Sequence, residues 1–331
     1  MRVAGYYIDV NVREELEAFD WNRATWTEKK LQACSPFRDD STPSFYVWLE
    51  DSPSHNAYAG QWGDSGGRGE YVRGSFVTLL AYLRQESESE TREYLLTKYA
   101  PELAGGDYLA AHFSISEMFA RKNDSKVKRK PLDSAVLRKY AFRHPYLTNR
   151  GISEQVQRAM RIGYDREQKA VVIPWFSPRG DLVQIKRRSV TSKFFRYLSA
   201  EDGGHPVREL VYGIDVIHRK GIEKAVVCEA EIDALYAMSA GFPAIAIGGS
   251  SFSKEKRDLI LRSPLRELIL APDNDEAGFK LKKQLIKELG GSMILSEIVF
   301  PGVKDLNDIS DTATVAAVIK GAKPVQTWTI A

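Results

Sequence analysis

The feature that most constrains this chain is a strict alternation of short apolar runs and helical periods in its last third. KAVVC (224–228) is a compact run rich in β-branched residues, and IDALYAMSAG (232–241) follows with helical spacing and a glycine stop. FPAIAIG (242–248) is again strand-like, and SKEKRDLILRS (253–263) reads as a helix with Ser253 as its N-cap. RELILA (266–271) is a third strand, EAGFKLKKQLIKELGG (276–291) an amphipathic helix with Leu281, Leu285 and Leu289 on one face, and SMILSEIVF (292–300) a fourth strand. Strands alternating with helices call for right-handed crossovers and a mostly parallel, Rossmann-like sheet. Uninterrupted apolar strands suit a sheet covered on both faces.

Ligands of such sheets bind at the carboxyl ends of the strands, and acids recur there. Glu229 follows the first strand, with Asp233 one helical turn on. Asp273 and Asp275 follow the third in APDNDEAG, and Asp305 and Asp308 follow the fourth in PGVKDLND. Two residues apart on an extended backbone, Asp273 and Asp275 point to one side. Any one of Glu229, Asp233 and Asp275 also suits the first turn of a helix, but acids at three of the four strand ends exceed what capping needs. Carboxylates gathered at one edge repel unless cations neutralise them. Hard oxygen ligands without neighbouring His or Cys select Mg²⁺ or Mn²⁺, and two such ions can clamp the attacking and leaving oxygens of a phosphoryl transfer. GGSSFSKEK (248–256) is glycine-rich but lacks the Gly-Lys-Ser/Thr of a P-loop.

The charge distribution points the same way. The 331 residues carry 47 basic and 44 acidic side chains. Residues 1–120 hold 11 basic and 19 acidic groups (net −8), 121–220 hold 23 and 10 (+13), and 221–331 hold 13 and 15 (−2). A basic middle between acidic flanks suits a polyanion. Pro101, Gly105-Gly106 and the run ARKNDSKVKRKP mark a linker. The expected organisation is therefore a domain at 1–100, a linker at 101–131, a basic α+β region at 132–220 and the parallel-sheet domain at 221–331. No run of about 18 apolar residues exists to span a membrane. Acids stand where a signal peptide needs an apolar core, so the expected location is cytoplasmic. Cys34 and Cys228 alone make neither a disulfide framework nor a Cys-rich zinc site.

Glu229 with Asp233, Asp273-Asn274-Asp275 before Glu276-Ala277-Gly278, and Lys304-Asp305 together resemble the acidic elements of a TOPRIM domain. AVVIPWFSPRGDLVQIKRRSVTSKFFRYLS (170–199), HPVRELVYGIDVI (205–217) and YLTNRGISEQVQRAMRIGYD (146–165) resemble the basic half of a primase core. SPFRDDSTPSFYV (35–47) and GGRGEYVRGSFVTLLAYL (66–83) resemble the zinc-binding module that precedes it. In this order, over most of residues 30–320, the chain resembles a DnaG-type bacterial or phage DNA primase.

The resemblance implies template-directed synthesis of short RNA primers on single-stranded DNA, a DNA-directed RNA polymerase activity. Glu229, Asp273 and Asp275 would be catalytic and hold two or more Mg²⁺ or Mn²⁺ ions, with Asp233, Asp305, Asn307 and Asp308 in support. Arg150, Arg188 and Arg196, with Lys186, Arg187, Lys193, Arg208 and Tyr197, would meet template and NTPs; Tyr212 either stacks on a base or packs before the TOPRIM domain. The implied partners are single-stranded DNA, NTPs and, since little chain follows the TOPRIM helices, a replicative helicase acting in trans.

Two departures from the family's pattern stand out. The zinc module of the family uses three Cys and one His, but the first Cys position holds Ser35, the His position Arg38, and the Cys-x-x-Cys region is QWGDSGG (61–67). No zinc is therefore expected, and the module's core would lean on Trp48, Tyr58, Trp62, Tyr71 and Phe76. Asn307 also stands where the family has Asp. Two other readings use the same residues: a TOPRIM nuclease with water as nucleophile, and a non-catalytic single-stranded-DNA-binding accessory.

Overall fold

The computed structural model describes residues 1–19, 21–84, 86–104, 129–249 and 251–325. Most of the expected linker lies outside these. The chain divides into two compact units, Met1–Lys130 with Ser192–Gly203, and Pro131–Thr191 with Gly204–Ala331. The assignment of Ser192–Gly203, with its short strand Phe195–Tyr197, to the first unit was not visible in the sequence, where those residues continue the basic region.

The first unit is built on an antiparallel meander of five strands, Thr25–Trp26, Lys30–Ala33, Phe45–Trp48, Trp62–Asp64 and Arg73–Gly74, each paired with the next. Alternation decides which face is buried: Leu31 and Ala33, then Phe45 and Val47, point inward. Helices Phe76–Arg84 and Glu88–Tyr99 contribute Phe76, Leu79, Leu80, Leu95 and Leu96 to the same core. The second of these starts in a capping box between Ser87 and Glu90. Of the aromatics expected inside, Trp62 and Phe76 are buried, Trp48 is half-buried, and Tyr58 and Tyr71 are exposed. The buried aromatics of this core are Phe45, Trp62 and Phe76, with Trp21 stacked on Phe45 and Phe37 against both Phe45 and Trp62. Tyr58 falls between short elements, where no inward alternation holds it.

The second unit begins with an antiparallel meander of Gly163–Asp165, Ala170–Phe176 and Leu182–Ser189, in which every residue of Ala170–Phe176 is buried. The C-terminal sheet runs in the order Ala244–Ala246, Lys224–Cys228, Glu267–Ala271, Ile294–Glu297, Lys323–Pro324. Its first four strands are parallel and the last is antiparallel. Helices Glu231–Ser239, Lys254–Leu261, Glu276–Leu289 and Thr312–Lys320 alternate with them. Leu281, Leu285 and Leu289 are fully buried, as the spacing of the third helix requires. The fold is thus mixed: an α+β unit, and an α/β sheet preceded by a basic antiparallel meander. Strand Ala244–Ala246 is added on one side of Lys224–Cys228 and Glu267–Ala271 on the other, so the strand order reverses between the two parallel central strands and the crevice of a doubly wound sheet opens beyond their carboxyl ends.

Candidate active site

Cys228 and Ala271 are paired in register at the last position of these two central strands. One step past Cys228 stands Glu229, and two steps past Ala271 stands Asp273, so the chain delivers both acids to the same edge of the crevice. Glu229 is buried, and its carbonyl accepts N–H bonds from Gly248 (2.8 Å) and Gly249 (3.2 Å) beyond the neighbouring strand. Gly278 shows why the acids of APDNDEAG are followed by a glycine: a Cβ there would lie 1.9 Å from the Asp273 carbonyl oxygen. Only glycine lets the helix start so close to the acid-bearing turn.

Three further links bind the acid-bearing segments together. The Asn274 N–H donates to the Lys304 carbonyl at 2.6 Å, and its Nδ2 to the Val303 carbonyl at 3.2 Å. The Asn307 N–H donates to Asp233 Oδ1 at 3.0 Å, and the Tyr236 hydroxyl to the Ile309 carbonyl at 2.9 Å. Arg150 Nη1 donates to Asn307 Oδ1 at 2.9 Å, and Asn307 Nδ2 returns a bond to the Arg150 carbonyl at 2.8 Å.

The electrostatics record how near the acids are. Burial, then the negative charges of Asp305 and Asp273, push the Asp233 carboxyl well above its usual range. Burial and Asp308 raise Asp305. The Cys228 thiol is also pushed well up, by burial and then by Asp233, Asp273 and Asp305. Asp275 goes the other way: burial opposes its ionisation, but the Gly278 N–H and Lys304 outweigh it and hold the carboxyl low. Asp275 is the N-cap of helix Glu276–Leu289, accepting from the Gly278 N–H at 3.0 Å, so for this acid the capping role is realised. Lys304 Nζ stands 3.1 Å from Asp275 and 3.7 Å from Asp273, an internal cation on the acidic pair.

Among the described residues no group of three or more His, Cys, Asp or Glu side chains converges tightly enough to hold a metal ion as it stands. The acids share a field without meeting at a point: Coulomb repulsion reaches several ångströms, whereas a hard cation draws its oxygens to about 2.0–2.6 Å. The donor set, all carboxylate with one amide, matches Mg²⁺ or Mn²⁺ in kind.

The basic candidates fall in different settings. Lys186 is buried, its Nζ 2.6 Å from Oε2 of Glu231, which is wholly buried. Its charge is therefore engaged internally. Arg187 is held by the Tyr140 hydroxyl at 2.8 Å and Asp165 at 3.5 Å. Arg188 has its Nε buried with no hydrogen-bond partner among the described residues. Arg208 pairs with Glu209 at 3.5 Å. Lys193, Arg196 and Tyr197 belong to the first unit, where Phe195 packs edge-on to Tyr197. Tyr212 is 1% exposed, tilted against Trp175 and bridged through its backbone to Ala246, so it packs and offers no face to a base.

Sequence reading missed Glu231 and Lys256. Lys256 is buried, donates from Nζ to the Ser251 carbonyl at 3.1 Å, and is pushed down to about 7 by burial, with Glu231 pulling the other way. The burial of both depends on distant segments: Glu231 meets Lys186, 45 residues away, and Lys256 lies in the field of Glu231.

Comparison with known proteins gives three findings. Residues 226–310 match a family described as Toprim-like. No curated protein matches the chain. Similar solved structures include the zinc-binding and RNA polymerase domains of the Aquifex aeolicus primase (18% identity, 96% of this chain and 84% of that one, TM-score 0.47). A DNA primase domain from Pseudomonas aeruginosa (18%, 58% and 78%, 0.49) and the primase fragment of the bacteriophage T7 primase-helicase protein (24%, 55% and 75%, 0.45) are also similar. The chain therefore carries a Toprim-like domain at residues 226–310, the segment that holds all the strand-end acids.

Proposed function

We propose that this protein is a DNA primase that synthesises short RNA primers on single-stranded DNA by divalent-metal-dependent nucleotidyl transfer. The observation that carries this reading is the delivery of Glu229 and Asp273 to one crevice by paired strands, with Asp233 and Asp305 close enough to raise proton affinity there. The primer 3′-hydroxyl attacks the α-phosphate of an incoming NTP; the new P–O bond forms as the bond to pyrophosphate breaks, and the hydroxyl proton leaves to solvent. Glu229, Asp273 and Asp275 would hold Mg²⁺ or Mn²⁺, with Asp233, Asp305 and Asp308 in support. Bound there, the ions would lower the hydroxyl's pKa and neutralise charge gathering at phosphorus.

The chain's own groups do the rest. Lys304 neutralises Asp273 and Asp275, a role that bound divalent cations would share. Asn307 fixes Asp233 through its N–H and Arg150 through its amide. Arg188, whose buried Nε has no partner among the described residues, suits a phosphate oxygen. Within the second unit Arg150 and Arg208 are the further proposed contacts to template and NTP, and Lys186 and Arg187 act as positioning groups through Glu231, Asp165 and Tyr140; within the first unit Lys193, Arg196 and Tyr197 are proposed separately as nucleic-acid contacts. A replicative helicase acting in trans is the proposed partner.

The test is incorporation of labelled NTPs on a single-stranded DNA template with Mg²⁺ or Mn²⁺. Asp273→Ala should cut incorporation by roughly a hundredfold or more, a loss typical of an electrostatic group at the reacting centre, while single-stranded DNA binding persists. Cleavage of nucleic acid without incorporation would favour the nuclease. A second reading, a non-catalytic single-stranded-DNA-binding accessory, is favoured by one observation: Lys304 already neutralises the acidic pair. Salt-dependent DNA binding with neither synthesis nor cleavage would establish it.

A further inference from the structure

The first unit contains a buried polar node for which core packing does not account. Asp64 ends the strand Trp62–Asp64 and Asp40 lies in the loop before Phe45–Trp48; both are buried. Between them sits Arg38. Its Nη2 donates to Asp40 Oδ2 at 2.7 Å, to Ser44 Oγ at 2.6 Å and to Asp64 Oδ1 at 3.2 Å, and its Nε reaches Asp64 Oδ2 at 3.3 Å. Ser44 Oγ lies 2.7 Å from Asp40 Oδ2 and 2.8 Å from Asp64 Oδ1, giving its single proton to one or the other. Backbone N–H groups complete the shell: Gly66 to Asp64 Oδ1 (2.9 Å), Thr42 to Asp40 Oδ1 (3.1 Å) and Ser35 to Asp40 Oδ2 (3.3 Å). A Cβ on Gly66 would lie 2.2 Å from Arg38 Nη2, so the turn after Asp64 is shaped around the guanidinium.

These positions are where the zinc-module resemblance would place a metal, and the residues do not fit one. Ser35 and Arg38 stand at two ligand positions, Asp64 lies in the stretch replacing the Cys-x-x-Cys, and a cation already occupies the centre. The neighbouring Cys34 is buried, and burial followed by Asp40 pushes its thiol up, away from the thiolate that zinc requires. We propose that the Arg38–Asp40–Asp64 node is the cross-link of this small sheet, with the guanidinium holding the 35–44 loop to the end of strand Trp62–Asp64 as a metal ion would. The fork geometry of arginine is essential, because one planar group has to reach two carboxylates and a hydroxyl at once. The N-terminal unit therefore folds independently of metal. This inference stands apart from the proposed polymerase activity.

The test uses the full chain. Elemental analysis of the purified protein should give zinc far below one equivalent, and the thermal midpoint should be unchanged by EDTA. Arg38→Met should lower the midpoint by on the order of 5 °C or more. Arg38→Lys, which keeps the charge but loses the fork, should fall between the two; it keeps the test decisive where Arg38→Met fails to fold. Stoichiometric zinc whose removal lowers the midpoint would overturn the inference, and so would an Arg38→Lys midpoint equal to that of the unmodified protein.

Discussion

Arg150 and Asn307, 157 positions apart, are locked side chain to side chain at 2.9 Å and amide to carbonyl at 2.8 Å. The same Asn307 gives its backbone N–H to Asp233 at 3.0 Å. One residue thus joins an arginine expected to meet nucleic acid to an acid expected to support metal. The amide suits this place because it offers donor and acceptor together.

Asn307→Asp exchanges that donor for a charge and enlarges the carboxylate set. The expected outcome is a several-fold lower Mg²⁺ concentration for half-maximal NTP incorporation, read from a metal titration. An unchanged titration would remove position 307 from the metal's surroundings.

Lys304 competes with cations for Asp273 and Asp275. Lys304→Ala should tighten Mn²⁺ binding several-fold in calorimetry, since no ammonium need leave. Weaker binding would show that Lys304 positions the acids more than it neutralises them.

The Lys186–Glu231 pair is buried, so removing one group takes a close ion-pair partner from a buried charge. Lys186→Met should destabilise the second unit by about 3–5 kcal/mol, measured by urea unfolding. The double variant Lys186→Met/Glu231→Leu should recover most of this; no recovery would mean that packing around Lys186, rather than its charge, is what matters.

Lys256 has a folded pKa of about 7, against 10.5 for an ordinary lysine. Between these values the unfolded chain holds the proton and the folded one does not, so stability rises with pH across that window. Lys256→Met should flatten this rise relative to the unmodified protein. Parallel profiles from pH 7 to 10 would mean that the amine stays charged in the fold.

The Asp40 and Asp64 carboxyls are both held low in the fold. For each, burial opposes ionisation; at Asp40 the Ser44 hydroxyl and then backbone N–H groups outweigh it, and at Asp64 the Arg38 guanidinium does. Depressed folded pKa values mean stability that is present above the unfolded carboxyl value of 3.8 and lost as pH falls through the folded values. The difference in unfolding midpoint between the unmodified protein and Asp64→Asn should be full at pH 6 and shrink below about pH 4. A gap that persists at pH 2.5 would place the effect of Asp64 outside its charge.

The sequence alone determined what depends on near neighbours. The alternation between 224 and 300 settled a parallel sheet, because period 2 and period 3.6 are written into adjacent residues. The topology of such sheets then put Glu229 and Asp273 at the ends of strands, and Gly278 next to the acids has a purely local cause. Only the tertiary structure decided which charges are engaged. Lys186 looked like a nucleic-acid contact until Glu231, 45 residues away, lay against it; Arg38 looked like a lost ligand until Asp64, 26 residues away, met it. Tyr58 and Tyr71 looked like core, but both are exposed, Tyr71 with its ring against Phe37. Charge pairing and burial depend on which distant segments come within a few ångströms, and that distance is set by strand register and packing, which no short window of sequence contains.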